Sequence, residues 1–502
     1  MTNKAEDEKP HATEERQPAP RDQINEVQHA VTIAGQEISY TVTTGTLVLK
    51  EETEKKGDKE GEAEGEKPKA SIFFVAYTRN DVDDKTRRPI TFSFNGGPGS
   101  SSVWLHLGAL GPRRVLMGDV GHLLPPPYGL VDNPESILDV SDLVFIDPML
   151  TGYSRAVVGE KAKEFLSFKK DIESVGDFIR LYTTRYHRWL SPKFLIGESY
   201  GTTRAAGLSG YLQDRHGMYL NGIMLVSAIL DFGTADFQPG NDLPHILYLP
   251  TFAATAWYHQ RLDAQLQKDL HGLLEEVEAF ALGEYATALM KGAALTAAER
   301  AEILKQLARF TGLSADYLDR VNLRIEIMRF TKELLRDQRR TVGRLDSRFT
   351  GIDRDAGGET FEYDPSLANI TGPYTAAFND YVRRELKFES DLPYEVLNFK
   401  ANEQWSFAQH ENRYVEVAET LRKAMTANPY LKVFVGNGYY DLATPYFATE
   451  YTFNHLSLDP SLRPNISMGY YEAGHMMYIH EPSLAKLKQD LAAFIGSAVP
   501  QA

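Results

Sequence analysis

Phe194-Leu195-Ile196-Gly197-Glu198-Ser199-Tyr200-Gly201 is a short apolar run that stops abruptly at Gly-x-Ser-x-Gly. The run reads as a buried strand. Glycines two places before and after a serine permit a strand-to-helix turn tight enough to lift the serine Oγ clear of a sheet edge. Alone, the pattern serves equally well as a glycine-rich turn with a solvated serine, so its neighbours decide. Asp142 to Ile146 reads as a buried strand closing on Asp147-Pro148, and Ile172, Val175, Phe178, Ile179 and Tyr182 recur at helical steps before the serine strand. Ala205 to Leu212 continues as a helix behind the turn, and Asn221 to Leu230 supplies the next strand. Strand, helix, strand, turn, helix predicts an α/β fold with a mostly parallel sheet and right-handed crossovers.

A serine presented this way needs a base and an acid, and in folds of this type they follow it in the order acid, then histidine. The apolar run Leu431 to Val435 leads into Gly436-Asn437-Gly438-Tyr439-Tyr440-Asp441, and Ile466 to Tyr471 leads into Glu472-Ala473-Gly474-His475. Both candidates lie just past a strand end, where sites in α/β sheets are built. Ser199 is then the nucleophile, His475 takes and returns its proton, and Asp441 holds the imidazole tautomer. The oxyanion requires two preorganised donors, one being the N–H of Tyr200 and the other coming from a glycine loop after an earlier strand. Asn95-Gly96-Gly97-Pro98-Gly99, after the run Ile90 to Phe94, is that loop.

Three blocks together, Asn95 through Ser102, Gly197 through Gly201, and Ala473-Gly474-His475-Met476, resemble the signature blocks of the serine carboxypeptidase family, an α/β-hydrolase family. The resemblance covers roughly Phe73 to Leu230 and Tyr430 to Ile495, and the missing disulfides fit a bacterial-type member. It implies removal of C-terminal residues from peptides, with Asn95, Gly96 and Glu198 binding the substrate's terminal carboxylate and Gly97 completing the oxyanion hole with Tyr200. Two neighbouring carboxylates resist joint ionisation, so Glu198 would share a proton with the substrate, which favours acidic pH. Three departures stand out. Ser100 occupies the place of a usual cysteine, Ala109 that of a second glutamate hydrogen-bonded to the first, and Tyr439 that of a first aspartate in a Gly-Asp-x-Asp stretch. Ala109 bears on the acid pH behaviour and leaves room for an esterase or acyltransferase of the same fold. A non-catalytic binding protein is the remaining alternative.

The rest of the chain sets bounds. With 502 residues, 42% hydrophobic and 11% aromatic, core size is not limiting, and no apolar run approaches the length of a membrane span. A net charge of −15 argues against a sequence-independent grip on nucleic acid or anionic membrane. The chain has no cysteine, no His-Glu-x-x-His and no phosphate-binding Gly-rich Lys-Ser/Thr loop, so no metal or cofactor is expected; the expected partner is a peptide with a free C-terminus. Residues 1–26 read as a disordered tail without a signal h-region, compatible with the cytoplasm, or with the periplasm after removal of a signal. Val31 to Lys50 suggests antiparallel strands with turns at Ala34-Gly35 and Thr44-Gly45, and the charged run 51–69 reads as a loop. Residues 27–235 and 403–502 form the predicted core. Between them, 236–402 loses the strand rhythm, takes helical stretches such as Leu262 to Ala281 and Thr296 to Ala308, and reads as an inserted helical lid. Arg413 to Met425 and the segment from Pro482 onward read as sheet-flanking helices. Tyr258 and Trp257 are candidates for a specificity pocket, and Met476 reads equally as pocket lining or core.

Overall fold

A computed structural model describes residues 20–54 and 62–499. Its centre is a ten-stranded sheet. Nine of the strands are β1 (Gln23–Ile33), β2 (Gln36–Glu54), β3 (Ala63–Arg79), β4 (Ile90–Phe94), β5 (Asp142–Ile146), β6 (Lys193–Ser199), β7 (Gly222–Ala228), β8 (Lys432–Gly438) and β9 (Ile466–Tyr471). They lie in the order β1-β2-β3-β5-β4-β6-β7-β8-β9, and the two-residue strand Arg155–Ala156 pairs with β3. From β5 to β9 all neighbours are parallel. The β1–β3 meander joins antiparallel to β5.

Alternation assigns the side chains of each strand to two cores. Phe73, Val75 and Tyr77 of β3 enter one, and Ile72, Phe74 and Ala76 the other. In β6 and β7, Phe194, Ile196, Met224 and Val226 face the first core, with Leu195, Ile223 and Leu225 in the second. Burial on both faces is why these strands read as unbroken apolar runs rather than as alternating ones. Helices α1 (Phe168–Arg185) and α2 (Tyr200–His216) cover the second face. Between β7 and β8 the chain passes through α3 (Leu243–Tyr258), α4 (Leu270–Phe280) and α5 (Ala297–Thr311), which share a third core, and then α6 (Pro365–Arg384). Helix α7 (Ala418–Ala427) packs on α2, while α8 (Glu481–Ala498) and α6 close the first face.

The structure departs from the sequence reading in several places. Of the expected tail, residues 1–19 lie outside the described residues, and Gln23 onward is already β1, paired along β2. Its polar residues misled because this is an edge strand with one face in water. Ala34-Gly35 is the expected turn, with φ of 49° and 78°. Thr44-Gly45 is no turn but mid-strand. A Cβ on Gly45 would fall 1.8 Å from the Gln23 carbonyl oxygen, so this glycine serves the close approach of β1. The run 51–69 is not simply a loop either, since 51–54 and 63–69 prolong β2 and β3, with Glu51 opposite Lys67; residues 55–61 lie outside the described residues. Lys50 meets Glu66 at 3.1 Å, and Lys69 reaches Glu51 at 3.2 Å and Glu160 at 3.1 Å. A hairpin wet on both faces needs no apolar residues, and opposite charges across it support its register. Helix α4 starts eight residues later than the pattern suggests and α7 five later: buried Leu266 sits in a separate 3₁₀ turn, Leu266–Lys268, and buried Val417 precedes the first helical residue of α7.

One buried side chain ties these layers to the glycine loop. Arg204 of α2 donates through Nε to Asp171 of α1 at 2.8 Å and through Nη1 to the Asn95 carbonyl at 2.5 Å. Its guanidinium carbon lies 5.4 Å from the ring centroids of Phe94 and Tyr200. Removing one partner of such a pair strands a buried charge. Arg204→Met should therefore lower unfolding stability by about 3–5 kcal/mol, read from urea denaturation, and adding Asp171→Leu should recover much of the loss.

Candidate active site

Strand β6 ends at Ser199 and α2 begins at the next residue. Ser199 has φ 61° and ψ −131°, a backbone state that costs a residue with a side chain about 1–3 kcal/mol. Glycines make the turn possible. A Cβ on Gly197 would lie 2.1 Å from the Gly201 carbonyl oxygen, and one on Gly96 would lie 2.4 Å from the Tyr200 amide nitrogen. The Asn95–Gly99 loop thus lies directly on the elbow. Gly97 is exposed there with φ 104°. Asp147, at the end of β5, fixes the loop from behind: its Oδ1 accepts Ser102 N–H and Oγ–H, each at 2.9 Å, and the Tyr394 hydroxyl at 3.2 Å. Burial pushes the Asp147 carboxyl up to about 6, against the Ser102 hydrogen bonds.

Asp441 and His475 meet past the ends of β8 and β9. Asp441 Oδ1 accepts Ala443 N–H at 2.7 Å and Thr444 N–H at 3.0 Å; Oδ2 accepts the Thr444 hydroxyl at 2.7 Å and lies 2.7 Å from His475 Nδ1. A carboxylate at Nδ1 holds the proton there and leaves Nε2 as the basic nitrogen. Burial pulls the imidazole down, but the charge and hydrogen bond of Asp441, with Glu198 adding, outweigh it and raise His475 above its ordinary value. Among the described residues no hydrogen bond joins Ser199 Oγ to His475; such bonds commonly form only with substrate in place. The backbones are nonetheless tied. β7 bulges between Val226 and Ala228, Ala228 lies opposite Ser199, and the intervening Ser227, at φ 53°, donates its hydroxyl to the His475 carbonyl at 2.7 Å.

Glu198 and Asn95 are both buried beside the serine. Burial pushes the Glu198 carboxyl up to about 7; Asp441 adds to this, while His475, Tyr478 and Asn95 pull it down. The Tyr478 hydroxyl donates to Glu198 Oε2 at 2.5 Å. Asn95 Oδ1 accepts Leu105 N–H at 3.1 Å; its buried Nδ2 lies near enough to Glu198 to lower that carboxyl but closes no well-formed hydrogen bond with it or with any other group. Orphaned donors of this kind are rare inside proteins and demand an explanation. An arriving acceptor would supply one.

Several supporting residues gave no signal in the sequence. The segment 344–348, nearly a hundred residues upstream of Asp441, reaches both catalytic-candidate loops. Leu345 O accepts His475 N–H at 2.7 Å, Arg344 O accepts Leu442 N–H at 3.0 Å, and Ser347 N–H donates to Tyr440 O at 3.0 Å. Asp346 Oδ2 accepts Gly474 N–H at 3.1 Å and pairs with Arg348 at 2.7 Å. The three departures from the family pattern find new work. Ser100 Oγ accepts Trp104 Nε1–H at 2.8 Å; Ala109 is buried in the first core, its carbonyl accepting Asn133 Nδ2–H at 2.8 Å; and Tyr439 stacks on Tyr470, with centroids 5.8 Å apart. Met476 is buried in the first core, and Tyr258 packs edge-on against Tyr440 at 5.4 Å, next to Asp441.

Comparison with known proteins agrees with this architecture. Residues 62–479 match the serine carboxypeptidase family. The pheromone-processing carboxypeptidase KEX1 of Saccharomyces cerevisiae strain S288c is 33% identical over 135 residues, 26% of this chain and 17% of that protein, and the strain JAY291 protein gives the same figures. The match therefore spans less than a fifth of the length of these curated relatives. The crystal structure of Kex1(delta)p, a prohormone-processing carboxypeptidase from Saccharomyces cerevisiae, is similar with a TM-score of 0.53 at 16% identity, over 90% of this chain and 91% of that one. At that identity the likeness speaks for the fold, which is the α/β-hydrolase fold. With most of its length, 62–479, matched to a single family, this chain belongs to the serine carboxypeptidases.

Proposed function

We propose that the chain is a serine-type carboxypeptidase that releases C-terminal residues from peptides through an acyl-enzyme on Ser199. The observation that carries this reading is the pairing of a buried, protonatable Glu198 with the unpartnered Asn95 Nδ2 beside the elbow serine. Together with the Gly96 N–H, these donors would grip a terminal carboxylate, which places the scissile carbonyl over Ser199. Ser199 Oγ attacks that carbonyl carbon while His475 Nε2 takes its proton, and Asp441 stabilises the imidazolium. The oxyanion is held by the N–H groups of Gly97 and Tyr200. His475 then protonates the departing amine, the C–N bond breaks, and water activated by the same imidazole hydrolyses the acyl-enzyme to regenerate Ser199. Within the inserted segment 236–402, helices α3 to α5 with their own core act as the lid over the Ser199 elbow, a reading supported by the contacts of 344–348 with both the Asp441 and His475 loops, while α6 belongs to the first face of the sheet.

Three outcomes test the proposal. A serine-directed phosphonate should label Ser199 stoichiometrically, and Ser199→Ala should abolish both labelling and about 10⁶ of kcat; label elsewhere, or full activity in the variant, sinks the mechanism. Glu198→Ala should cost about 10–100-fold in kcat/KM on peptides with a free C-terminus and far less on their C-terminal amides, so an unchanged ratio between the two substrates removes carboxylate recognition from Glu198. The pH profile follows from two opposite requirements. His475 must be neutral, and its raised value sets the acid limb above the ordinary histidine range. Glu198 must be protonated, so activity on free carboxylates should fall as pH rises through about 7. Initial rates should thus give a narrow maximum near neutrality for free peptides and lack the alkaline limb for amides.

A further inference from the structure

Carboxylate recognition by Glu198, on which this inference rests, requires not only that the group be protonated but that the proton face the substrate. In this chain the hydrogen-bonding partner of Glu198 is a phenol. Tyr478, on the turn just after His475, is buried and donates to Oε2 at 2.5 Å. Space for its ring comes from Gly108: a Cβ there would lie 2.4 Å from Tyr478 Cε2 and 2.6 Å from the Tyr374 hydroxyl. The next residue, Ala109, brings no acid to share the proton. Burial, with the Glu198 charge adding, raises the Tyr478 phenol well above its ordinary value, so the hydroxyl stays protonated throughout the working pH range.

We propose that Tyr478 is a positioning residue that occupies Oε2 of Glu198, so that the proton is carried on Oε1 and offered to the substrate's terminal carboxylate. A carboxyl oxygen already accepting a strong hydrogen bond is the poorer site for the proton, so the phenol selects between two otherwise equivalent oxygens. The same bond stabilises the ionised form and so sets the pH at which recognition is lost. The other groups facing Glu198 are few. His475 and Asp441 act on it through their charges from the two catalytic-candidate loops, Asn95 lies beside it from the glycine loop, and Tyr374 of α6 senses its charge. His106, on the same turn as Gly108, is engaged with the Tyr77 hydroxyl at 2.6 Å and held neutral by burial, which lowers it to about 3.

The test is Tyr478→Phe, which removes one oxygen and keeps the ring. On a blocked dipeptide with a free carboxylate, KM should rise about 3–10-fold with kcat little changed, and the alkaline limb should move up by about one pH unit, the scale of a charge-assisted hydrogen bond. On the C-terminal amide neither should move. Glu198→Gln carries a fixed donor and should have no alkaline limb, so adding Tyr478→Phe to it should shift nothing. Gly108→Ala, which crowds the ring from behind, should shift the limb in the same direction by less and guards against a Phe variant that does not fold. The proposal is overturned if a folded Tyr478→Phe protein keeps both the limb and the carboxylate-to-amide ratio of the parent. Should Glu198→Ala itself leave that ratio unchanged, the carboxylate reading is what fails.

Discussion

The backbone of Ser199, at φ 61°, is the constraint to which the rest of the molecule is fitted. A strained residue at the end of a central strand persists only when its surroundings leave no alternative. Here the surroundings are specific. Glycine at 197 and 96 lets two chain segments come within contact of the turn, Arg204 clamps the following helix to the preceding loop, and Ala228 pairs with Ser199 across a bulge. The glycine approaches and the Ala228 pairing are backbone contacts, which is why a Cβ at 197 or 96 has no room.

Two buried carboxyl groups near this turn are treated in opposite ways. Asp441 receives three hydrogen bonds from Ala443 and Thr444 and a fourth contact from the imidazole. Glu198 receives one strong donor and is otherwise dry, and burial lifts it to about 7. The two differ in the donors they receive, and burial acts on Glu198 against a single hydrogen bond. The proposed chemistry needs that division, with one group charged to steady the imidazole and the other protonated to meet a carboxylate. Where the family pattern has a second acid near Glu198 and this chain has Ala109, the hydrogen bond to Glu198 comes from the Tyr478 hydroxyl instead.

Much of this was legible in the residues. The apolar runs of β4 to β8 declare themselves because a strand buried on both faces has little room for polar side chains, and the edge strand β9 still shows an apolar run through Ile466, Met468, Tyr470 and Tyr471. Ser199, Asp441 and His475 each follow such a run, and the structure brings the last two into a 2.7 Å contact. The failures have the opposite cause. Where a strand lies at an edge or runs into water, as in β1 and the outer part of the β2–β3 hairpin, burial makes no demand and the pattern vanishes.

What the sequence by itself determined, then, is the sheet, its order of strands and helices, and the chemistry available at three strand ends, because local spacing encodes burial and turn geometry. What only the tertiary structure decided is who stands beside whom. The support of the Asp441 and His475 loops by residues 344–348, the hold of Ser227 on the His475 carbonyl and the bond from Tyr478 to Glu198 join positions that are far apart in the chain. Their residue types are ordinary, and their meaning is created by distances of under 3.5 Å that no one-dimensional pattern contains.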